Sequence, residues 1–298
     1  MARPAQRRVA SRGGSRLSTR PVIDAHQHVW TADYPWLAKP GYEAIHRDFG
    51  VADLRANLKA AGVDRTILVE ADWGHPSETV EFLHLAGAVP EVAGVVGYVD
   101  LLDPDLPTTL GRYTTHRHTR YLVGLRDQVQ ARRDPDFLAR PEVVSALRRI
   151  AGAVPTFDLI VRVDQLDAAA RAAAAVPELQ FVLDHLGKPQ IRDGAAGLAA
   201  WREAVGPLAK RPNVVAKLSG LVTEADWEHW TPEDLRPFVQ AALELFGPDR
   251  LMFGSDWPMC ELAAPYTRVK EALIEILGGE DPDVFSATAQ RIYRIGEQ

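Results

Sequence analysis

Eight short apolar runs recur along the chain, at 22–30, 65–71, 92–101, 122–129, 156–162, 180–189, 214–221 and 251–258, and each is closed downstream by polar residues. They are continuously apolar rather than alternating, so both faces of each strand are to be covered, as in parallel sheets sheathed by helices. Parallel neighbours also need long crossovers. Stretches of helical period supply them at 51–61, 77–89, 141–151, 164–176 and 198–210. Thr231-Pro232-Glu233-Asp234 writes a further helix start, with a hydroxyl at N-cap, proline at N1 and an acid at N3, before 235–246 and a stop at Gly247. Eight such units in about 230 residues predict an α/β fold, a closed (β/α)8 TIM barrel. An open doubly wound sheet would carry a glycine-rich phosphate turn after its first strand, and Asp24-Ala25-His26-Gln27-His28 is not one. The tail 283–295 is expected to form a closing helix.

The 298 residues suffice for one barrel domain at 21–298 behind a basic extension at 1–20. That extension holds Arg3, Arg7, Arg8, Arg12, Arg16 and Arg20 without an acid, so it is expected to be disordered, and it lacks the apolar stretch of a secretory signal. The net charge of -6 predicts no nucleic-acid or anionic-membrane partner. No later run approaches the ~18 apolar residues of a membrane span. The lone Cys260 excludes an internal disulfide and fits the cytoplasm. A small-molecule substrate is the expected partner, and a homo-oligomer stays open.

Chemistry concentrates where the runs end: His26 and His28, Glu70, Asp100, Arg126, Asp184 and His185, Lys217 and Ser219, and Asp256. In a barrel those ends share one mouth, where catalytic residues gather. Side chains alternate along a strand, so His26 and His28 point the same way, and Asp24 is expected to share their direction. Two imidazoles this close suit either one metal ion or one carbonyl oxygen. A lone His-x-His is as readily a satisfied polar pair, but here it is matched by His185 and Asp256. Trp30, Trp36, Trp73 and Trp257 fall just past strand ends, where flat faces either line a substrate pocket or pack the rim. Lys217 and Arg126 are expected to bind substrate hydroxyls or a carboxylate. Glu70 is expected at the substrate as well, or as the ion-pair partner of those cations. The remaining histidines, at 46, 75, 84, 116, 118 and 229, are expected in loops or helices, solvated or locally hydrogen-bonded, with His75 the one that stands out as a further candidate.

The segments Val22-Ile23-Asp24-Ala25-His26-Gln27-His28-Val29-Trp30, Asp184-His185-Leu186-Gly187-Lys188-Pro189, Lys217-Leu218-Ser219-Gly220-Leu221 and Gly254-Ser255-Asp256-Trp257-Pro258 together resemble amidohydrolase family 2, and within it the sugar-acid lactonase group. The resemblance runs from about Pro21 to Ile295. It implies an amidohydrolase-like barrel and a hydrolase opening a small 1,4- or 1,5-lactone of a sugar acid. Asp256 would be the general base that activates water, with His26, His28 and His185 polarising the carbonyl directly or through a divalent ion. Arg126 matches a substrate-contacting position. Relatives often carry Gly-Asn-Ala where this chain has Ala287-Thr288-Ala289, read as a change in helix capping.

A two-metal centre would need a bridging group at the end of strand four and a histidine on strand five. Here strand four ends Leu125-Arg126-Asp127 and residues 157–162 hold no histidine. At most one ion, zinc first among candidates, is expected on His26, His28 and Asp256, with His185 as a further ligand; no required cofactor is the other version. Burial beside Phe253 and Trp257 is expected to raise the pKa of Asp256. Two alternatives stay open: a metal-dependent decarboxylase of an aromatic or unsaturated acid on a related barrel, and a noncatalytic sugar- or metal-binding protein.

Overall fold

Valine, isoleucine and leucine fill the strands, and every pairing between neighbours is parallel. In this computed structural model, which describes residues 20–296, the expected basic extension lies outside the described residues except for the exposed Arg20. The strands are β1 (Ile23–Gln27), β2 (Arg65–Val69), β3 (Val92–Tyr98), β4 (Leu122–Asp127), β5 (Thr156–Leu159), β6 (Gln180–Leu183), β7 (Val214–Leu218) and β8 (Leu251–Phe253). They lie in sequence order in one sheet. Two backbone bonds join its edges: the His28 amide donates to the Trp257 carbonyl (2.7 Å) and the Asp256 amide to that of His26 (2.9 Å). The expected TIM barrel is therefore the observed architecture.

Each strand stops short of its apolar run, because the last residues leave the ladder to build the mouth. The run 180–189, for example, leaves the sheet after Leu183. Helices follow the expected stretches closely, with Val51–Ala61 and Pro141–Ala151 matching at both ends. The helix Pro232–Phe246 has its capping box on Thr231 and Asp234. Among the described residues no helix is long and apolar enough to cross a membrane.

The core has two shells. Ile23, Ala25, Ile67, Val182, Val215 and Met252 fill the barrel interior, while Leu68, Leu125, Phe181 and Phe253 pack outward against helices. Burial of each such side chain contributes roughly 1.5–3 kcal/mol before entropy is subtracted. The tail runs as a π turn, Asp283–Ala287, straight into the helix Thr288–Ile292. Ala287-Thr288-Ala289 spans the join, with Ala287 at the N-cap of that helix in helical backbone. Tyr293 behind it is fully buried in the inner shell and donates to Asp158 Oδ2 (3.0 Å).

Candidate active site

A register break between Asp24 and Gln27 decides what β1 presents to the interior. Asp24 does not share the direction of the two histidines as expected. It faces the outer helix Tyr266–Leu277, accepting from Tyr266 Oη (2.8 Å) and from Ser255 Oγ (2.6 Å). Beyond the irregularity, His26 and His28 both turn inward. His28 Nδ1 faces the Val69 carbonyl at 2.9 Å, so the proton sits there and Nε2 presents its lone pair to the cavity.

At the base of the mouth four side chains converge. His26 Nε2 lies 3.2 Å from His28 Nε2 and 3.7 Å from Asp256 Oδ1. That same oxygen lies 3.5 Å from His28 Nε2 and 3.9 Å from His185 Nε2. Asp256 itself is in the left-handed backbone region (φ 58°). His185 Nδ1 meets Ser219 Oγ at 2.9 Å. Gly220 lies against both: a Cβ there would approach His185 Nδ1 to 2.5 Å and Asp256 Oδ2 to 3.0 Å, at a φ of 61°. Gly220→Ala is therefore expected to cost about 1–3 kcal/mol through crowding and to cut activity about a hundredfold by displacing both groups. Denaturant unfolding and steady-state kinetics on the same sample check the two effects.

Burial favours the neutral form of two of the imidazoles, those of His26 and His185. It drives His26 well below the usual histidine range despite the pull of Asp184, and takes His185 down to about 4. Asp256 departs from the expected direction. Burial alone would raise its carboxyl, but His185, with His28 and His26, outweighs that and holds it below the ordinary carboxylate range.

A hard-to-soft borderline cation such as Zn²⁺ takes imidazole nitrogen and carboxylate oxygen at about 2.0–2.2 Å, which in a tetrahedron puts ligand atoms about 3.3–3.5 Å apart. The separations of 3.2, 3.5 and 3.7 Å among His26, His28 and Asp256 match that face. These three residues also form one of the described groups of close potential ligands; His26, Asp184 and His185 form another. The donor set thus fits one divalent ion.

Beneath the site a buried charge network fills the barrel. Lys217 Nζ donates to Asp158 Oδ2 (2.6 Å), lies 2.9 Å from Asp184 Oδ1 and contacts His26 Nδ1 (3.1 Å). Arg126 donates to Glu70 Oε1 (2.5 Å) and Asp184 Oδ2 (2.9 Å). Lys217 and Glu70 are wholly buried in these pairs and do not line the cavity, which corrects the expectation that Lys217 binds substrate and leaves Glu70 in its other expected place, as the ion-pair partner of Arg126. A charge at that depth needs partners more than ligands.

A cavity of about 150 Å³ opens above the site. Of the expected substrate-facing residues, Arg126, Trp30 and Trp36 line it, with His28, His185 and Asp256. Trp257 does not. It is fully buried, packed on Phe49, and its indole donates to Glu261. Trp73 does not either: it stacks on Tyr34 outside the cavity, 38% exposed. His75, the further candidate among the remaining histidines, caps the helix Pro76–Ala88 by accepting from the Ser77 amide.

The sequence reading missed Lys39, Tyr42, Asp72, Gln128, Gln130, Lys188 and Glu224, all in the lining. Two signals pointed to some of them. Arg126, Gln128 and Gln130 alternate across the end of β4, and the unusually long connection 28–50 between β1 and its helix carries Trp36, Lys39 and Tyr42.

The sequence pattern of the family described as amidohydrolase matches residues 23–295. The L-fucono-1,5-lactonase of Burkholderia multivorans is 38% identical over 293 residues, 92% of this chain and 96% of that protein. The L-fucono-1,5-lactonase of Burkholderia ambifaria is 37% identical over 252 residues, 82% of each. A crystal structure of an amidohydrolase from Burkholderia multivorans with bound zinc superposes with a TM-score of 0.84 at 33% identity, over 92% of this chain and 99% of that one.

Proposed function

The chain belongs to the amidohydrolase family, and from that membership we propose that it hydrolyses a small sugar-acid 1,4- or 1,5-lactone in the cytoplasm. The observation that carries this reading is the convergence of three imidazoles on one carboxylate oxygen at the base of a cavity. The two relatives called L-fucono-1,5-lactonase support the lactone as substrate class.

His26, His28 and Asp256 would hold one divalent ion, with His185 beside it. When bound, that ion supplies Lewis acidity toward a carbonyl oxygen and makes a nearby water more acidic. The chain's own residues do the rest. Asp256, ionised at neutral pH, accepts a proton from water as the oxygen attacks the lactone carbonyl. His185, whose Nδ1 meets Ser219, would turn Nε2 toward the oxygen on which negative charge develops, the position where stabilisation counts most, while His26 and His28 would act there through the ion they hold. Asp256 in its acid form then returns the proton to the departing ring oxygen. A carboxylate held this low is a weak base, which an already electrophilic ester tolerates, and its acid form is a strong donor. Arg126 and Trp30 hold the ring, and buried Asp184 orients His26 through Nδ1 (3.2 Å).

Decarboxylation of an aromatic or unsaturated acid has less support. The cations lining the cavity are Lys39, Arg126 and Lys188, against Asp72, Glu224 and Asp256. Arg126 is already engaged by Glu70 and Asp184, so little positive charge is free for an anionic substrate.

A panel of five- and six-membered aldonolactones, followed by proton release with and without a chelator, tests the proposal. Ring opening of at least one member well above the spontaneous rate is expected. Silence across the panel contradicts it.

A further inference from the structure

Three side chains at the cavity rim carry polar groups with bonding capacity to spare. Tyr42 comes from the long β1 connection, Lys188 from the turn after β6 and Glu224 from the segment after β7, and all three line the cavity. Lys188 Nζ lies 3.6 Å from Glu224 Oε1, an ion pair too long for a good hydrogen bond. Among the described residues none of the three makes a side-chain hydrogen bond. Glu224 is nevertheless largely buried, at 19% side-chain exposure, with only the long ion pair to Lys188 to offset the cost of removing a carboxylate from water. Donors from a ligand would relieve it.

The backbone fixes where this group sits relative to the imidazoles. His185, Leu186, Gly187 and Lys188 hold left-handed φ values of 53°, 53°, 72° and 57° in succession. Such residues cost roughly 1–2 kcal/mol each when not glycine and normally occur singly. The turn is held by Trp201, whose buried indole donates to the Leu186 carbonyl (2.7 Å), and by Leu166 packed against Gly187. Lys188 is thereby carried in rigid register with His185. The same cavity carries an aromatic wall, with Trp36 edge-on to Trp30 (5.1 Å) and to Tyr42 (5.7 Å).

Resting on the lactonase reading, we propose that Glu224, Lys188 and Tyr42 form a hydroxyl-reading subsite that binds ring hydroxyls of the lactone while its carbonyl lies at Asp256. A carboxylate accepts from two neighbouring hydroxyls, the ammonium donates to their oxygens, and Tyr42 does either. The site then selects a polyhydroxylated ring over a bare one, because a bare ring leaves these groups desolvated and unpaired.

The test compares a six-membered aldonolactone with unsubstituted δ-valerolactone in the unaltered enzyme, Glu224→Gln and Lys188→Met. The ratio of kcat/KM for the hydroxylated over the bare lactone is expected to fall about 10- to 100-fold in Glu224→Gln, mostly through KM, and in the same direction in Lys188→Met. A ratio within about twofold of the unaltered enzyme in both variants overturns the subsite while the lactonase reading stands. Failure of the unaltered enzyme to open either ring overturns both.

Discussion

Replacing Asp256 with asparagine is expected to lower kcat on an aldonolactone about a thousandfold, the middle of the range for a lost general acid–base group. Asparagine is nearly isosteric and tolerates the left-handed backbone that residue 256 adopts, so the fold is expected to survive. A thermal unfolding midpoint close to that of the unaltered protein, with the lactone still bound, separates loss of chemistry from loss of structure. A decrease below tenfold would mean that water is activated elsewhere. Retained binding without turnover also argues against a noncatalytic binding protein, which has no use for a base at this place.

Lys217→Met is expected to cost about 3–5 kcal/mol of stability, read as a lower denaturant midpoint at unchanged slope. The ammonium lies between Asp158 and Asp184, both fully buried, and its removal leaves two carboxylates facing each other without it. Burial already pushes Asp158 up to about 6 even with the ammonium in place. Arg126 holds only the far oxygen of Asp184, so it cannot take over both contacts. Activity should fall as well, because Lys217 also touches His26 Nδ1. A loss under 1 kcal/mol would show that protonation of one acid substitutes for the lysine at little cost.

These two residues also mark the limit of what the sequence discloses. Position along a strand is readable: apolar runs ending in His26, His28, His185 and Asp256 predict a barrel with a shared mouth, and the barrel and the cluster are both present. Depth is not readable. Lys217 precedes the end of its strand by one residue and Asp256 lies three residues beyond the end of β8, and that difference puts one below the site and the other in it. Direction fails where the ladder breaks. Strict alternation turns Asp24 inward, but the irregularity in β1 sends it out to Tyr266. Aromatic rings past strand ends are equally ambiguous, since Trp30 lines the cavity while Trp257 is core and Trp73 stacks outside. The raised pKa expected for Asp256 failed for a related reason. Its apolar neighbours are visible in sequence, whereas three converging imidazoles are a property of the closed ring.

The strain at the mouth is consistent with that division. Left-handed non-glycine residues at 72, 185, 186, 188 and 256 cluster at or beside the cavity, with only Arg294 elsewhere among the described residues. Strain of this kind persists where surrounding packing over-determines it, as Trp201 does for the turn at 185–188.

The central claim is that one lactone carbonyl sits among His26, His28, His185 and Asp256. A crystal structure with a non-hydrolysable aldonolactam of matching ring size tests it most directly. The account predicts the lactam carbonyl oxygen within hydrogen-bonding reach of the imidazoles, or of an ion they hold, and the carbonyl carbon close enough to Asp256 for one water between them. A lactam bound with its carbonyl turned away from that carboxylate, toward Gln130 or the rim, would contradict it.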